Sequence, residues 1–156
     1  MFIVDSSVII SFYREIGVPD VLNEFHRTGY LIIVPSRVYG EIKGTPFNIL
    51  TSAIESGSIR LCSIMDAESC NEFKFRHPAL SNGEIEVILL GLRFRSEGKR
   101  YWCVLDDKKA RKVAEVLEIT VIGTIGLLDF MEECRHISDE QKRAFIEILK
   151  SSSFRL

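Results

Sequence analysis

Hydrophobic runs alternate with polar, glycine-containing stretches along this chain, and the pattern predicts its secondary structure. Short apolar runs rich in Val, Ile and aromatic residues predict strands. These runs are Phe2–Val4, Tyr30–Val34, Ile59–Ile64, Tyr101–Leu105 and Ile119–Ile122. Most of them are apolar throughout, which is typical of parallel strands buried on both faces. Arg60 interrupts one run, so that strand is expected near an edge of the sheet.

Helical signals occupy the intervening segments. The clearest is a stripe of apolar residues at i, i+3, i+4 and i+7, formed by Ile85, Ile88, Leu89 and Leu92. The predicted helices are Val8–Glu15, Pro19–Arg27, a helix capped by Ser36, Asn48–Ser56, Asp66–Arg76, a long helix from Ser81–Glu84 to Glu97, Lys108–Leu117, Ile125–Cys134 and Ser138–Lys150. Residues 151–156 are expected to form a frayed tail.

The alternation of strands and helices predicts the fold class. It favours an α/β domain with a mainly parallel central sheet, covered by helices on both faces in a three-layer α/β/α arrangement. Connections between parallel strands are expected to be right-handed crossovers. A length of 156 residues suits a single domain with a substantial core.

Composition narrows the class of protein. Hydrophobic residues make up 46% and charged residues 27% of the chain, and the net charge is -2. This argues against a uniformly basic nucleic-acid binder but allows a local basic face. The four cysteines form no C-x-x-C pair, which argues against a zinc site. No secretory signal and no apolar run of about 18 residues is present. We therefore expect a reduced, cytoplasmic protein that is not in a membrane.

Four carboxylates stand where such a fold gathers side chains. Asp5 and Asp106 each follow a predicted strand, Glu41 lies in the helix after the second strand, and Glu84 begins the long helix. The carboxyl ends of parallel strands share one edge of a sheet, so Asp5 and Asp106 are expected to face one crevice. Glu41 and Glu84 could close its sides.

Each carboxylate also has a simpler explanation. Asp5 could be a helix N-cap, Glu41 an exposed helical charge, and Glu84 completes Ser81-x-x-Glu84, the spacing of a capping box. In Asp106-Asp107, the second residue is expected to cap the next helix. Glu86 is the alternative to Glu84 if the long helix faces the site in a different register from the predicted one.

A divalent cation would resolve the repulsion among clustered carboxylates, because each like charge raises the pKa of its neighbours. Oxygen ligands without a Cys or His cluster favour Mg²⁺ or Mn²⁺. The hydroxyls of Ser6 and Thr124 could orient a carboxylate, although Thr124 could also simply cap the helix that follows it.

A basic helix lies beside Asp106. It contains Lys108, Lys109, Arg111 and Lys112. Cations next to an acidic site suit a phosphodiester substrate, since they can hold its backbone. The alternative is a solvated helix face in which Arg111 pairs with Glu115 at i,i+4.

With these residues placed, the chain resembles the PIN-domain family, in particular its VapC-like ribonucleases. The resemblance rests on the order and spacing of Ile3–Ser7, Val38–Ile42, Leu80–Glu86, Leu105–Arg111 and Ile122–Gly126. It covers residues 1 to about 134 as a nuclease domain, with residues 135–156 as a C-terminal helical extension. The chain departs from the family at Thr124, where many members have Asp, and in the helix Ser138–Lys150, which packs in a dimer or covers the core.

The resemblance implies a metal-dependent endoribonuclease that prefers single-stranded RNA. Asp5, Glu41, Glu84 and Asp106 match its acidic positions. It also implies a homodimer and, for toxin members, a small antitoxin protein that covers the site. The competing hypothesis is a catalytically silent scaffold of the same fold that binds RNA or a protein. A small-nucleotide binder is disfavoured because no G-x-G-x-x-G or P-loop sequence is present.

Overall fold

The computed structural model describes residues 1–64 and 66–152. In this part of the chain a five-stranded sheet is formed by β1 (Phe2–Val4), β2 (Ile32–Pro35), β3 (Ile59–Cys62), β4 (Trp102–Val104) and β5 (Val121–Ile122). Neighbouring strands are parallel, in the order β3-β2-β1-β4-β5. The predicted α/β fold is confirmed, and β3, with its exposed Arg60, lies at an edge.

Helices connect the strands. They are α1 (Ser6–Ile10), α2 (Pro19–Asn23), α3 (Ser36–Glu41), α4 (Thr45–Glu55), α5 (Ala67–Arg76), α6 (Asn82–Ser96), α7 (Lys108–Val116), α8 (Thr124–Glu133) and α9 (Asp139–Ser151). None of the described helices is long and apolar enough to cross a membrane.

The sheet separates two layers of helices because alternate residues of a strand point to opposite faces. On one face, Cys103 packs against α6, where its Sγ atom lies 2.6 Å from the position a Cβ would occupy at Gly91. On the other face, the Phe2 ring stacks on Trp102 and meets Phe130 of α8, with centroids 4.9 Å apart in both pairs. The three-layer arrangement is therefore built from the two side-chain sets of the same strands.

Four helices differ from the sequence prediction. The first begins at Ser6 and changes to a wider π-helical turn over Ser11–Glu15, and the second tightens to a 3₁₀ turn over Glu24–Thr28. The third begins at Ser36, which the sequence predicted as its cap, whereas Pro35 stands at the cap position and the Ser36 hydroxyl donates to Glu86. The fourth begins at Thr45 rather than Asn48, with Pro46 in its first turn. A proline is tolerated there because the first N–H groups of a helix have no partner within it.

The last helix, α9, is part of the same core. Ser138 caps it through a capping box with Gln141, and Phe145 and Leu149 are buried. Lys142 pairs with Asp129 and Glu132 of α8. Of the expected frayed tail, Ser151 ends α9, and residues 153–156 lie outside the described part of the chain.

Candidate active site

Asp5 follows β1 at the point where the strand order reverses. The chain adds β2 and β3 on one side of β1, and β4 and β5 on the other. In open parallel sheets, the crevice at such a reversal is the usual ligand site. Asp5 is only 7% exposed, and its Oδ1 atom has no hydrogen-bond partner among residues 1–64 and 66–152. Although Asp5 stands at the N-cap position of α1, its side chain makes no capping hydrogen bond.

The surroundings of Asp5 disfavour its negative charge. Burial is the main cause that raises its pKa to about 7, and the carboxylates of Glu84 and Glu41 raise the pKa further. A backbone hydrogen bond from Ser6 and the hydroxyl of Ser7 act in the opposite direction. A cation beside Asp5 would stabilise its ionised form.

Asp106 is held in a fixed orientation by Thr124. The Thr124 backbone N–H donates to Asp106 Oδ1 at 2.8 Å, and its hydroxyl donates to Oδ2 at 2.6 Å. Thr124 is the first residue of α8, whose N-cap is Gly123, so its hydroxyl orients the Asp106 carboxylate and does not cap the helix. Asp107 caps α7 by accepting from Lys109 and Ala110, as the sequence predicted.

A shared hydroxyl joins Asp5 to Asp106. Ser7 Oγ lies 3.2 Å from Asp5 Oδ2 and 3.5 Å from Asp106 Oδ2. The sequence indicated that the hydroxyl of Ser6 could orient a carboxylate, and Ser7 is the residue whose hydroxyl lies near both strand-end carboxylates. The two strand-end carboxylates therefore face the same crevice.

Glu41 and Glu84 meet at the start of α6. Glu41 Oε1 accepts a hydrogen bond of 2.8 Å from the Gly83 backbone N–H. A Cβ at Gly83 would lie 2.7 Å from Glu41 Oε2, so only glycine leaves room for this approach. Glu84 forms the predicted capping box with Ser81. Burial raises the pKa of Glu84, and the charges of Asp107 and Glu41 add to that effect.

The basic helix α7 borders the crevice. Its four cationic residues, Lys108, Lys109, Arg111 and Lys112, are all exposed. The i,i+4 ion pair between Arg111 and Glu115 is not formed, and within the described ranges the Arg111 side chain makes no ion pair. Arg111 instead lines a cavity next to Asp106.

The donor chemistry suits a hard cation, but the side chains do not converge on one point. In residues 1–64 and 66–152, no three His, Cys, Asp or Glu side chains are arranged to hold a metal ion as they lie. Glu41 and Glu84 are turned to the backbone N–H groups of Gly83 and Ser81. The unpaired Oδ1 of Asp5 is the feature that fits a cation, because carboxylate oxygens are the preferred ligands of Mg²⁺ and Mn²⁺.

A comparison with known families agrees with this architecture. A family model described as a PIN domain matches residues 1–156. The chain belongs to the PIN-domain family. No curated protein and no solved structure matches it. The matched residues include α9. The PIN domain is a nuclease-type fold.

Glu86, the alternative to Glu84, has another position in this PIN domain. It is 1% exposed, and its carboxylate accepts hydrogen bonds from the Ser36 hydroxyl and from the backbone N–H groups of Arg37 and Ile64. It therefore ties α6 to the start of α3 and to the segment after β3. These three bonds occupy both oxygens of the Glu86 carboxylate, so Glu86 has a structural role.

Sequence reasoning missed Ser7 and Gly83 in this PIN domain. Ser7 lies two residues after Asp5, where a first-turn hydroxyl can bond back to a preceding carboxylate. Gly83 lies in the first turn of α6 without a positive φ, so its backbone conformation does not require glycine. A glycine at a position that suits any residue is the signal of a close approach by another group.

Proposed function

We propose that this PIN domain is a Mg²⁺- or Mn²⁺-dependent endoribonuclease that prefers single-stranded RNA. The observation that carries the proposal is Asp5: a buried carboxylate at the strand-order reversal, with one unpaired oxygen and a pKa of about 7. Such perturbed carboxyls in clefts mark functional sites. The all-oxygen surroundings and the family membership support the same conclusion.

In this proposal Asp5, Glu41, Glu84 and Asp106 hold the ion. The bound ion supplies Lewis-acid stabilisation of the phosphate and lowers the pKa of water. Thr124 would keep Asp106 in a fixed orientation, and the Ser7 hydroxyl, which can donate to one carboxylate at a time, lies within reach of both Asp5 and Asp106. Glu41 and Glu84 each use one oxygen to accept from the backbone N–H groups of Gly83 and Ser81, and the second oxygen of each would be available to the ion.

The RNA backbone binds along α7 in this proposal. Lys108, Lys109, Arg111 and Lys112 are exposed beside Asp106 and bind the RNA, the three lysines by neutralising phosphates on either side of the cleaved bond. Binding is then expected to weaken as the salt concentration rises. Single strands are favoured because their phosphates and bases can follow an open groove.

The VapC-like resemblance supports further proposals on partners and location. The protein acts in the cytoplasm as a homodimer, and a small antitoxin protein covers the acidic crevice when the nuclease is a toxin. Co-expression with the product of an adjacent small gene, followed by size-exclusion chromatography, tests the homodimer and the antitoxin partner. A monomer that binds no such product would contradict these two proposals.

The central test replaces Asp5 with Asn, which keeps the shape but removes the charge. Cleavage of single-stranded RNA is expected to fall by more than the roughly 10–100-fold typical when a partner of a metal ligand is lost. Asp20→Asn, on an exposed residue of α2, is the matched control and keeps wild-type cleavage. Full activity of purified Asp5→Asn, with an unchanged circular dichroism spectrum, would refute the assignment.

A second candidate function is the catalytically silent scaffold. One observation favours it: in the described part of the chain no three candidate ligands are positioned for an ion as they lie. Thermal unfolding with Mn²⁺ separates the candidates, because a ligand at 100 times its Kd stabilises a protein by about 2.7 kcal/mol. No shift, together with no RNA cleavage, would support the scaffold.

A further inference from the structure

A cavity of about 350 Å³ opens next to Asp106, and neither Glu41 nor Glu84 belongs to its lining. Its walls are three aliphatic side chains and two glycines, with Asp106 and Arg111 as the polar groups. These residues are Asp106, Arg111, Val121, Ile122, Gly123, Ile125 and Gly126. We name it the Asp106 cavity. Its volume and its mainly apolar lining with few polar groups match those of small-ligand sites, about 300–1,000 Å³.

The backbone conformation at Gly123 and Gly126 does not require glycine. Gly123 has φ −97° and ψ 179°, an extended conformation that any residue adopts. Gly126 lies inside α8 without a positive φ, where alanine would favour the helix. Their missing side chains leave space instead: a Cβ at Gly123 would meet Asp106 Oδ1 at 3.0 Å, and one at Gly126 would meet Ile122 Cβ at 3.1 Å. Gly123 therefore keeps this side of Asp106 open, and Gly126 lets α8 pack closely on Ile122.

Arg111 is the one cationic group in the lining of the Asp106 cavity. One guanidinium nitrogen lies 3.7 Å from the position a Cβ would take at Gly123. The side chain is exposed and has no ion-pair partner among residues 1–64 and 66–152. A planar fork of donors over an apolar slot thus remains available to a ligand.

We propose that the Asp106 cavity binds one base of the RNA, that of the nucleotide adjoining the cleaved phosphate, and that it prefers guanine. The inference rests on the proposed nuclease function and names a specificity site for it. Aliphatic walls suit the flat faces of a base, and a guanidinium pairs in a bidentate manner with the O6 and N7 acceptors of guanine. Adenine presents an amino donor beside N7, which repels the same guanidinium. In single-stranded RNA these edges are free to be read.

A phosphate is the less suitable occupant. The backbone N–H of Thr124 at the start of α8 donates to Asp106 and is not available to an anion. The Asp106 carboxylate would repel a phosphate, whereas the exposed lysines of α7 lie on the open helix surface. The chemistry of the cavity therefore separates base recognition at Arg111 from backbone binding at the lysines.

The test titrates metal-free protein with guanosine, adenosine and inorganic phosphate while NMR follows the amide signals of Gly123 and Gly126. Guanosine is expected to shift both signals and to bind roughly tenfold more tightly than adenosine. Arg111→Gln is expected to remove this preference. Arg60→Gln, an exposed arginine on the opposite edge strand, is the matched control and keeps it. Ile125→Trp, which fills the cavity, is expected to abolish the shifts.

Three outcomes would overturn the proposal: no shift with guanosine, equal binding of adenosine, or saturation of the same signals by inorganic phosphate alone. The result is independent of cleavage because no metal is present. Guanosine binding by a protein that cuts no RNA would refute the nuclease proposal and keep the base site. RNA cleavage without guanosine binding or base preference would refute the base site and keep the nuclease.

Discussion

Asp5 is the residue at which folding and proposed function compete. Its side chain is buried at the strand-order reversal, and one of its two oxygens has no hydrogen-bond partner in the described ranges. Burial without full hydrogen bonding favours the neutral carboxyl. A metal ligand must instead be ionised, so a cation competes with the proton on Asp5, and cation binding is expected to strengthen as the pH rises through about 7.

The first prediction concerns pH. Because the folded-state pKa of Asp5 is about 7, well above its ordinary value near 3.8, the folded state retains a proton that the unfolded state loses between these values. The free energy of unfolding of metal-free protein is therefore expected to fall as pH rises from about 4 to about 7, by up to roughly 4 kcal/mol. The raised pKa of Glu84 acts in the same direction.

Urea unfolding in EDTA at about pH 5 and about pH 7.5 measures this effect. Asp5→Asn lacks the titrating group and is expected to lose less stability than wild type over the same interval. The two proteins share every other titrating group, so their difference isolates Asp5. Identical pH dependence in both would contradict the assignment of the raised pKa.

The second prediction concerns Gly83. A Cβ at this position would displace the Glu41 carboxylate, whose end is flexible and exposed. Gly83→Ala is therefore expected to change the free energy of unfolding by no more than about 1 kcal/mol while lowering RNA cleavage. Combined with Glu41→Gln, it should add no further loss, because both changes remove the same carboxylate. Additive losses in single-turnover cleavage would count against this contact.

At the scale of elements, α6 is the helix on which the site and the core depend together. Its first turn presents Gly83 and Glu84 to the crevice, Glu86 ties it to α3, and its middle packs on β4. The position of α6 must therefore satisfy its contacts with the crevice, with α3 and with β4 at the same time.

The third prediction tests the packing of α6 on β4. A Cβ at Gly91 would lie 2.6 Å from Cys103 Sγ and 3.0 Å from Ile119 Cγ2, both in the core. Gly91→Ala is expected to destabilise the protein by about 1–3 kcal/mol, because overpacking strains neighbouring side chains. Gly40→Ala in α3 meets nothing within 4 Å and is expected to stabilise by up to about 1 kcal/mol. Denaturant unfolding that shows equal effects at both glycines would refute this packing.

At the scale of the whole molecule, α9 closes the helical layer that covers one face of the sheet. Phe145 and Leu149 are buried within the chain itself. The structure thus favours covering of the core over dimer packing for these two residues, and the family match includes them.

The fourth prediction tests this role. Leu149→Ala is expected to lower the free energy of unfolding by about 2–5 kcal/mol, whereas Ile148→Ala, on a residue that is 37% exposed, costs less. If α9 covers the core, the loss is independent of protein concentration. A loss that appears only at low concentration would instead show that Leu149 packs between two copies of the chain.

The sequence by itself determined the strands, their parallel arrangement, the edge position of β3 and the caps at Ser81, Asp107 and Ser138. These features follow from local periodicity and from hydrogen bonds that span three residues or fewer. The order of the acidic motifs also led to the PIN-domain family, which the family model confirms. The four proposed ligands stay a prediction.

Only the tertiary structure decided which groups meet. Ser7 rather than Ser6 bridges Asp5 and Asp106, Glu41 approaches Gly83 across 42 positions, and Glu86 binds the start of α3. The raised pKa of Asp5 and the cavity beside Asp106 also arise from the packing of several elements. Periodicity assigns a residue to a face of its own element, but contacts between distant segments depend on how those faces pack together in three dimensions.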